Sequence, residues 1–205
     1  FVVLNSSVPN AWAMPGGKLA VNRGLLTERN NEAELAAVLG HEITHAAARH
    51  SAQQMQRALL LQAGVMAVAV AAGSADERYA PLAVGSAALA ASVLSQRYSR
   101  EAELEADHYG MGYMARTGYD PYAAVTLQET FVRLSGGRNS NWVEGLFASH
   151  PPSAERVAQN RLRAQQLGVR GELDAERFKA RTASLLRDKP AYASYDAAVK
   201  ALGEK

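Results

Sequence analysis

The pattern of apolar and polar positions begins with three short segments of strand character and then turns almost wholly helical. Residues 1–4 are an apolar run, and residues 5–10 a polar turn containing Pro9. Ala11–Met14 reads as a second short strand. Pro15-Gly16-Gly17 breaks it, and Lys18–Asn22 alternates as a third. Residues 24–27 close this section. Thr27, Asn30 or Asn31 can cap a helix with Glu32 and Glu34 in its first turn, where carboxylates suit the positive end of the helix dipole. From there to about His50 the pattern is helical and largely apolar.

Two apolar runs follow, residues 58–72 and 81–94, separated by the polar stretch 73–78. Each is about 14–15 residues, or roughly 21–22 Å as a helix. A bilayer core asks for about 20 residues and roughly 30 Å. The runs are rich in Ala and Gly, and Gln62 interrupts the first. They are expected to form a helical hairpin, buried or covering a substrate, in a soluble protein; a membrane hairpin is the alternative. Beyond them, helical patterns cover residues 99–116, ending at Thr117-Gly118, then 120–134 and 154–167, with a loop over 135–141 and a turn at His150-Pro151-Pro152-Ser153. Residues 172–186 and 191–202 read as charged helices. No internal repeat or low-complexity linker is visible. The expected fold class is α+β, mainly α, with a small sheet near the N-terminus.

Composition narrows the function classes. Hydrophobic residues make up 48 % of the chain and charged ones 20 %, which excludes a disordered segment. Twenty-two basic against 20 acidic residues give a net charge of +2 and no field for nucleic acid. Without cysteine there are no disulfides, thiolate metal sites or thiol catalysis. Forty alanines against 4 Phe and 2 Trp favour close-packed helices, and 13 of the 40 lie in residues 58–91. The chain opens at Phe1 without a basic–apolar leader pattern, so any targeting peptide, lipid anchor or upstream helix is expected to lie outside this stretch.

The chemistry concentrates at His41-Glu42-Ile43-Thr44-His45. Residues four apart on a helix differ by about 40° in projection, so both imidazoles share a face and can hold one metal ion. Glu42, off to the side, can act as general base on a water at that metal. A charged motif in an apolar helix costs free energy unless its groups are paired or bind metal. A third ligand is needed, and the acidic stretch 100–107 supplies two pairs at helical spacing. These are Glu103 with Asp107, and Glu101 with Glu105; spacing does not choose between them. A solvated acidic face balanced by Arg97, Arg100 and Arg116 is the competing reading. His50, five residues after His45, projects about 140° around the helix and is expected to be structural. His108 is expected to project away from the metal, and Trp12 and Trp142 to pack.

Four segments, in order, carry a resemblance to a known family: residues 10–17 with 24–26, residues 39–45, residues 98–107, and residues 149–156. Together they resemble the HtpX-like and CAAX-prenyl-protease-like zinc metalloendopeptidases, in their soluble periplasmic branch, over roughly residues 1–165. The resemblance implies a zincin-like peptidase domain over 1–165, with its active-site helix bearing the His-Glu-x-x-His motif, and a helical extension over 166–205. It implies a gluzincin site with one zinc ion held by His41, His45 and Glu103, Glu42 as general base, and Asp107 orienting a zinc-bound imidazole. It thereby chooses Glu103 over Glu101 and Glu105. Two His and a carboxylate also suit other divalent ions.

The implied function is metalloendopeptidase cleavage of polypeptides, misfolded or stalled envelope and outer-membrane proteins, in the periplasm of a Gram-negative bacterium with peripheral membrane association. A gated, chaperone-like assembly factor for outer-membrane proteins is the alternative, and a membrane-embedded protease a third. His150, ahead of the rigid Pro151-Pro152 turn, is read as an oxyanion donor, a fourth zinc ligand in a resting state, or a surface histidine. Arg156 is read as a carbonyl donor or a helix cap. Residues 15–22 are read as an exposed edge strand binding extended substrate through Gly16, Gly17, Lys18 and Leu19, or as a plain glycine turn. The alanine-rich pair is expected to lie near the zinc cleft and to control entry.

Overall fold

A computed structural model describes residues 1–75, 81, 84–88, 98–135 and 145–203. The fold is α+β and mainly helical. β1 (Val2–Leu4), β2 (Ala11–Met14) and β3 (Lys18–Asn22) form a sheet in the order β1-β3-β2. β2 and β3 are antiparallel, with Ala11 opposite Val21 and Met14 opposite Lys18, and β1 runs parallel to β3 with Val2 opposite Ala20. This corrects the edge-strand expectation for residues 15–22. β3 lies in the middle of the sheet and Leu19 is buried in the core, so the outer strand beside the helices is β2.

A short helix, α1 (Arg23–Thr27), stands where the pattern showed only an end to the strand section. α2 (Glu32–Ala47) starts as expected from its cap: the Asn31 side chain accepts a hydrogen bond from the Glu34 amide at 2.8 Å, with Glu32 and Glu34 in the first turn. Arg49, at φ +58°, breaks the chain away, and α3 (His50–Ala75) leaves in a new direction. This helix is 26 residues long, because the polar residues 51–57 continue it backward from the apolar run. Its stretch His50–Ala72 is long and apolar enough to cross a membrane by length and composition, and none of its apolar window is buried. The length argument for a short hairpin therefore fails at its first run. The second run, residues 81–94, lies largely outside the described residues, as does the loop expected at 135–141 beyond Ser135.

α4 (Arg100–Arg116) is capped by the Ser99 hydroxyl, which accepts from the Ala102 amide at 3.2 Å. α5 (Tyr122–Ser135), the one-turn α6 (Leu146–Ser149) and α7 (Ala154–Leu167) follow; Ser153 caps α7 and Gly168, at φ +64°, ends it. α8 (Ala175–Arg187) and α9 (Lys189–Gly203) fold back on the start of the chain. The Leu173 carbonyl accepts from the Glu32 and Ala33 amides at the head of α2, Arg177 pairs with Glu32 at 2.6 Å, and the Arg23 guanidinium lies 3.6 Å from the Tyr192 ring. The core is drawn from β2, β3, α1, α2, α4, α5, α6 and α7, around Leu25, Val38, Met111, Met114, Leu127 and Phe131.

The contact that orients the core is between α2 and α4, which pack most extensively on each other. A Cβ on Gly40 would stand 2.9 Å from the Gly110 carbonyl oxygen, and one on Gly110 would stand 2.9 Å from the His41 amide nitrogen. The two backbones touch at this crossing, and only glycine fits on either side. Gly110, Asp107 and Glu103 follow one another at i, i−3 and i−7 on one face of α4, so fixing Gly110 against Gly40 fixes the two carboxylates against α2.

A Cβ at Gly110 has backbone on its path, and overpacking of this kind costs about 1–3 kcal/mol. Gly110→Ala should lower the urea midpoint accordingly. Gly112→Ala meets only the mobile ends of Arg116 and Arg163, at 3.4 and 3.6 Å, and should stabilise by about 0.5–1 kcal/mol through helix propensity. Equal effects from the two substitutions, measured by urea unfolding, would contradict the crossing.

Candidate metal centre and active site

His41 and His45 lie one turn apart on α2, both buried, with their Nε2 atoms 2.9 Å from each other. Glu103, brought in by α4, places Oε1 3.3 Å from His45 Nε2 and Oε2 3.5 Å from His41 Nε2. His150, at the C-terminal end of α6, places Nδ1 2.9 Å from Glu103 Oε1 and 3.2 Å from His41 Nε2. These four side chains offer three imidazole nitrogens and one carboxylate oxygen, all within 4.8 Å of one another. Imidazole nitrogens facing one another and a carboxylate across a buried point can all act as donors to one cation. A divalent cation answers that arrangement, and the nitrogen–oxygen donor set is the kind that holds borderline metals.

Asp107 stands one turn beyond Glu103. Its Oδ1 accepts from His41 Nδ1 at 2.9 Å, which leaves His41 Nε2 free to face the cluster. Arg156, from α7, donates to both Asp107 oxygens at 2.8 Å and reaches Glu103 Oε2 at 2.7 Å. Its guanidinium thus pairs with two carboxylates, and the helix-cap role expected for Arg156 falls to Ser153, which accepts from the Arg156 amide.

Burial alone would push these ionisations toward the neutral forms, and charge pairing decides which groups resist it. For Glu103, desolvation is outweighed by His150, Arg156 and His41, which hold the carboxyl well below its usual range. For Asp107, desolvation is likewise overcome by Arg156 and His41, to about 2. His41 resists burial through Glu103 and Asp107 and is raised to about 10, while His45 is driven by burial down to about 3. Glu42 differs. Burial pushes it above the usual carboxylate range; among the described residues no side chain hydrogen-bonds to it, while the Ala13 backbone and His150, whose Nε2 is 3.4 Å away, favour its charged form. An ionisable, buried carboxyl beside a candidate metal site is suited to moving a proton.

Sequence spacing missed two neighbours. Tyr98 stacks on His45 with ring centroids 4.0 Å apart, and its hydroxyl lies 2.9 Å from Ser51 Oγ. His50 touches His45, because the break at Arg49 ends the helical projection on which its exclusion rested. Tyr98 sits at the edge of an acidic segment already of interest, and that adjacency was its one signal. His108 lies outside the cluster, with its ring beside Tyr109. Glu101 points to solvent beside Arg100, and Trp142 is outside the described residues. Gly16 and Gly17 line a cleft together with Met14, His45, Arg49 and Ser51, whereas buried Leu19 does not.

A helix presenting two histidines, a carboxylate from a second helix, and a buried glutamate between the histidines define the zincin class of metal centre. Within that class, residues 1–164 match peptidase family M48, and the chain belongs to this family. The chain is 33 % identical over 157 residues to Metalloprotease YcaL of Escherichia coli K12, covering 77 % of this chain and 59 % of YcaL. It is 31 % identical over 182 residues to the mitochondrial metalloendopeptidase OMA1 of Arabidopsis thaliana, covering 86 % and 34 %. It is 31 % identical over 194 residues to the beta-barrel assembly-enhancing protease of Escherichia coli K12, covering 89 % and 38 %. The chain thus spans between about a third and three-fifths of these relatives.

In the metal-free protein, the Asp107 contribution to stability is present above its unfolded value of 3.8 and is lost as pH falls through about 2. Such a shift amounts to about 2 kcal/mol. Asp107→Asn removes it, so the stability gap between wild type and variant should narrow between about pH 4 and pH 2. Urea unfolding in chelator measures this, and a gap that stays constant over that window would contradict the pairing.

Proposed function

We propose that this chain is the catalytic part of a zinc-dependent endopeptidase, with the peptidase domain over residues 1–165 and a helical extension over 166–205. The observation that carries the reading is the convergence of His41, His45 and Glu103 beside the buried carboxyl of Glu42. In this reading the three are zinc ligands. Bound zinc supplies Lewis acidity and lowers the pKa of a water to roughly 7. Glu42 takes the proton of the attacking water on a carboxylate oxygen and passes it to the leaving amine; its raised affinity for protons suits both halves of that transfer. Asp107 orients His41, and Arg156 holds Asp107 and Glu103 in place and ionised. The cleft at Gly16 and Gly17 beside β2 receives the extended substrate.

The substrates in this reading are envelope polypeptides, outer-membrane proteins among them, in the periplasm of a Gram-negative bacterium. The relatives named beta-barrel assembly-enhancing protease, from Escherichia coli and Vibrio cholerae, support that placement. The unburied apolar helix α3 supports peripheral contact with a membrane. The narrower kinship with HtpX-like and CAAX-prenyl-protease-like enzymes belongs to the same proposal.

A second reading, an assembly factor with gated and low protease activity, is favoured by one observation. Glu42, His45, Glu103 and His150 are each at most 4 % exposed, so little of the site meets solvent. That burial excludes His150 as a surface residue. Its place against Glu103 and His41 supports the fourth-ligand role in a resting state over the oxyanion role.

Glu42→Gln should keep stoichiometric zinc and lose proteolysis by about 10²–10⁴-fold, the contribution of general-base catalysis. Glu103→Ala should lose most zinc. Metal analysis and casein cleavage on the same samples, with and without chelator, decide both, and wild-type cleavage by Glu42→Gln would sink the assignment. His150→Ala should raise casein cleavage several-fold; reduced cleavage with zinc retained would assign His150 to the oxyanion instead.

A further inference from the structure

His41 and His45 face the same cluster but are held from behind by different chemistry. His41 Nδ1 meets a carboxylate, Asp107, at 2.9 Å. His45 Nδ1 meets another imidazole, His50 Nδ1, at 2.9 Å, with ring centroids 4.9 Å apart and the planes crossed at 72°. His50 is buried, and its other nitrogen, Nε2, lies 3.4 Å from Glu105 Oε2 at the half-exposed edge of α4. The break at Arg49 makes this contact, since it turns the first residue of α3 back beneath the last turn of α2.

The protons in this chain have one consistent arrangement. An imidazole that offers Nε2 to a cation carries its proton on Nδ1 and needs an acceptor there. For His45 the partner at that position is His50 Nδ1, which accepts only if His50 carries its own proton on Nε2. That nitrogen lies 3.4 Å from Glu105 Oε2, close enough for charge attraction though not aligned as a hydrogen bond, and an ionised carboxylate offers only acceptors. A His50 protonated on both nitrogens would set two donors against each other. A His50 protonated on Nδ1 alone would do the same and turn a lone pair toward the Glu105 carboxylate.

We propose that His50 and Glu105 form a positioning pair that selects the Nδ1–H tautomer of His45 and fixes its ring toward the metal. The proposal rests on the reading of His41, His45 and Glu103 as zinc ligands. It gives a role to one member of the acidic pair that spacing left in competition with Glu103 and Asp107. α4 then serves both zinc histidines: Asp107 directly behind His41, and Glu105 through His50 behind His45. His50 touches neither substrate nor metal; it acts through His45.

The test is zinc affinity by chelator competition, with the cobalt(II) absorption spectrum of each variant as a second readout. Loss of a partner behind a metal-bound histidine costs about 10–100-fold in affinity. His50→Leu, which keeps bulk but no acceptor, should show that loss and a shifted cobalt spectrum. His50→Asn restores an oxygen acceptor near the Nδ1 position and should recover most of the affinity and the wild-type spectrum. Glu105→Ala should weaken zinc by less than His50→Leu, and Glu105→Gln, which keeps an acceptor, should match wild type. If His50→Leu does not fold, His50→Asn and the two Glu105 variants carry the test. Zinc affinity within twofold of wild type in His50→Leu, or in Glu105→Ala where the leucine variant is not obtained, overturns the pair, as does His50→Asn no better than His50→Leu. A wild type that binds no zinc, or binds it no better than Glu103→Ala, overturns the metal reading instead, and the pair with it.

Discussion

Everything about the site depends on the crossing of α2 and α4 at Gly40 and Gly110. Two helices whose backbones touch have almost no freedom to slide or roll, because the next atoms on either side are main chain and not yielding side chains. Gly40 immediately precedes His41, and Gly110 lies one and two turns beyond Asp107 and Glu103. Restraining this one contact therefore restrains His41 against Asp107 and His45 against Glu103, at 2.9 and 3.3 Å. A wider crossing, with ordinary side chains between the helices, would set their axes about 8–10 Å apart and carry the carboxylates away from the histidines.

The cluster made there is electrostatically expensive. Glu42 and Glu103 are buried with His41, His45 and His150, Asp107 is partly buried beside them, and the Arg156 guanidinium enters among them. Its two carboxylate partners are held ionised, while Glu42, with no such partner, is pushed toward its protonated form. Environment alone thus separates glutamates of the same chemistry into two kinds. One is a fixed anion fit for a metal, and the other a carboxyl fit for handling protons.

Much of the fold is legible along the chain because its signals are local. Asn31, Ser99 and Ser153 stand at helix starts and cap them, and Gly168 ends α7 in the left-handed conformation glycine allows. The β2–β3 hairpin follows from alternation around Pro15-Gly16-Gly17. The failures are equally physical. β3 looked like an edge because strand order is a long-range property, set by where Val2–Leu4 returns to pair. α3 looked short because the apolar run ends at residue 58, whereas the helix continues through polar residues that favour it equally well. His50 looked remote because a projection around an axis holds only while the axis continues, and one positive φ at Arg49 ends it.

The sequence by itself determined the pairing of His41 with His45, since four residues on a helix place two side chains on one face wherever that helix lies. It determined equally that Glu42 sits between them, and that Glu103 and Asp107 share a face. It left open which acidic pair meets the histidines, because periodicity ranks faces within a helix and carries nothing about which face turns inward. Tertiary structure decided that, through a glycine contact visible only when two helices are seen together. It also decided the company each histidine keeps: Asp107 and Arg156 for one, Tyr98 and His50 for the other. Those neighbours come from segments up to about a hundred residues apart, and packing alone brings them within reach of a hydrogen bond.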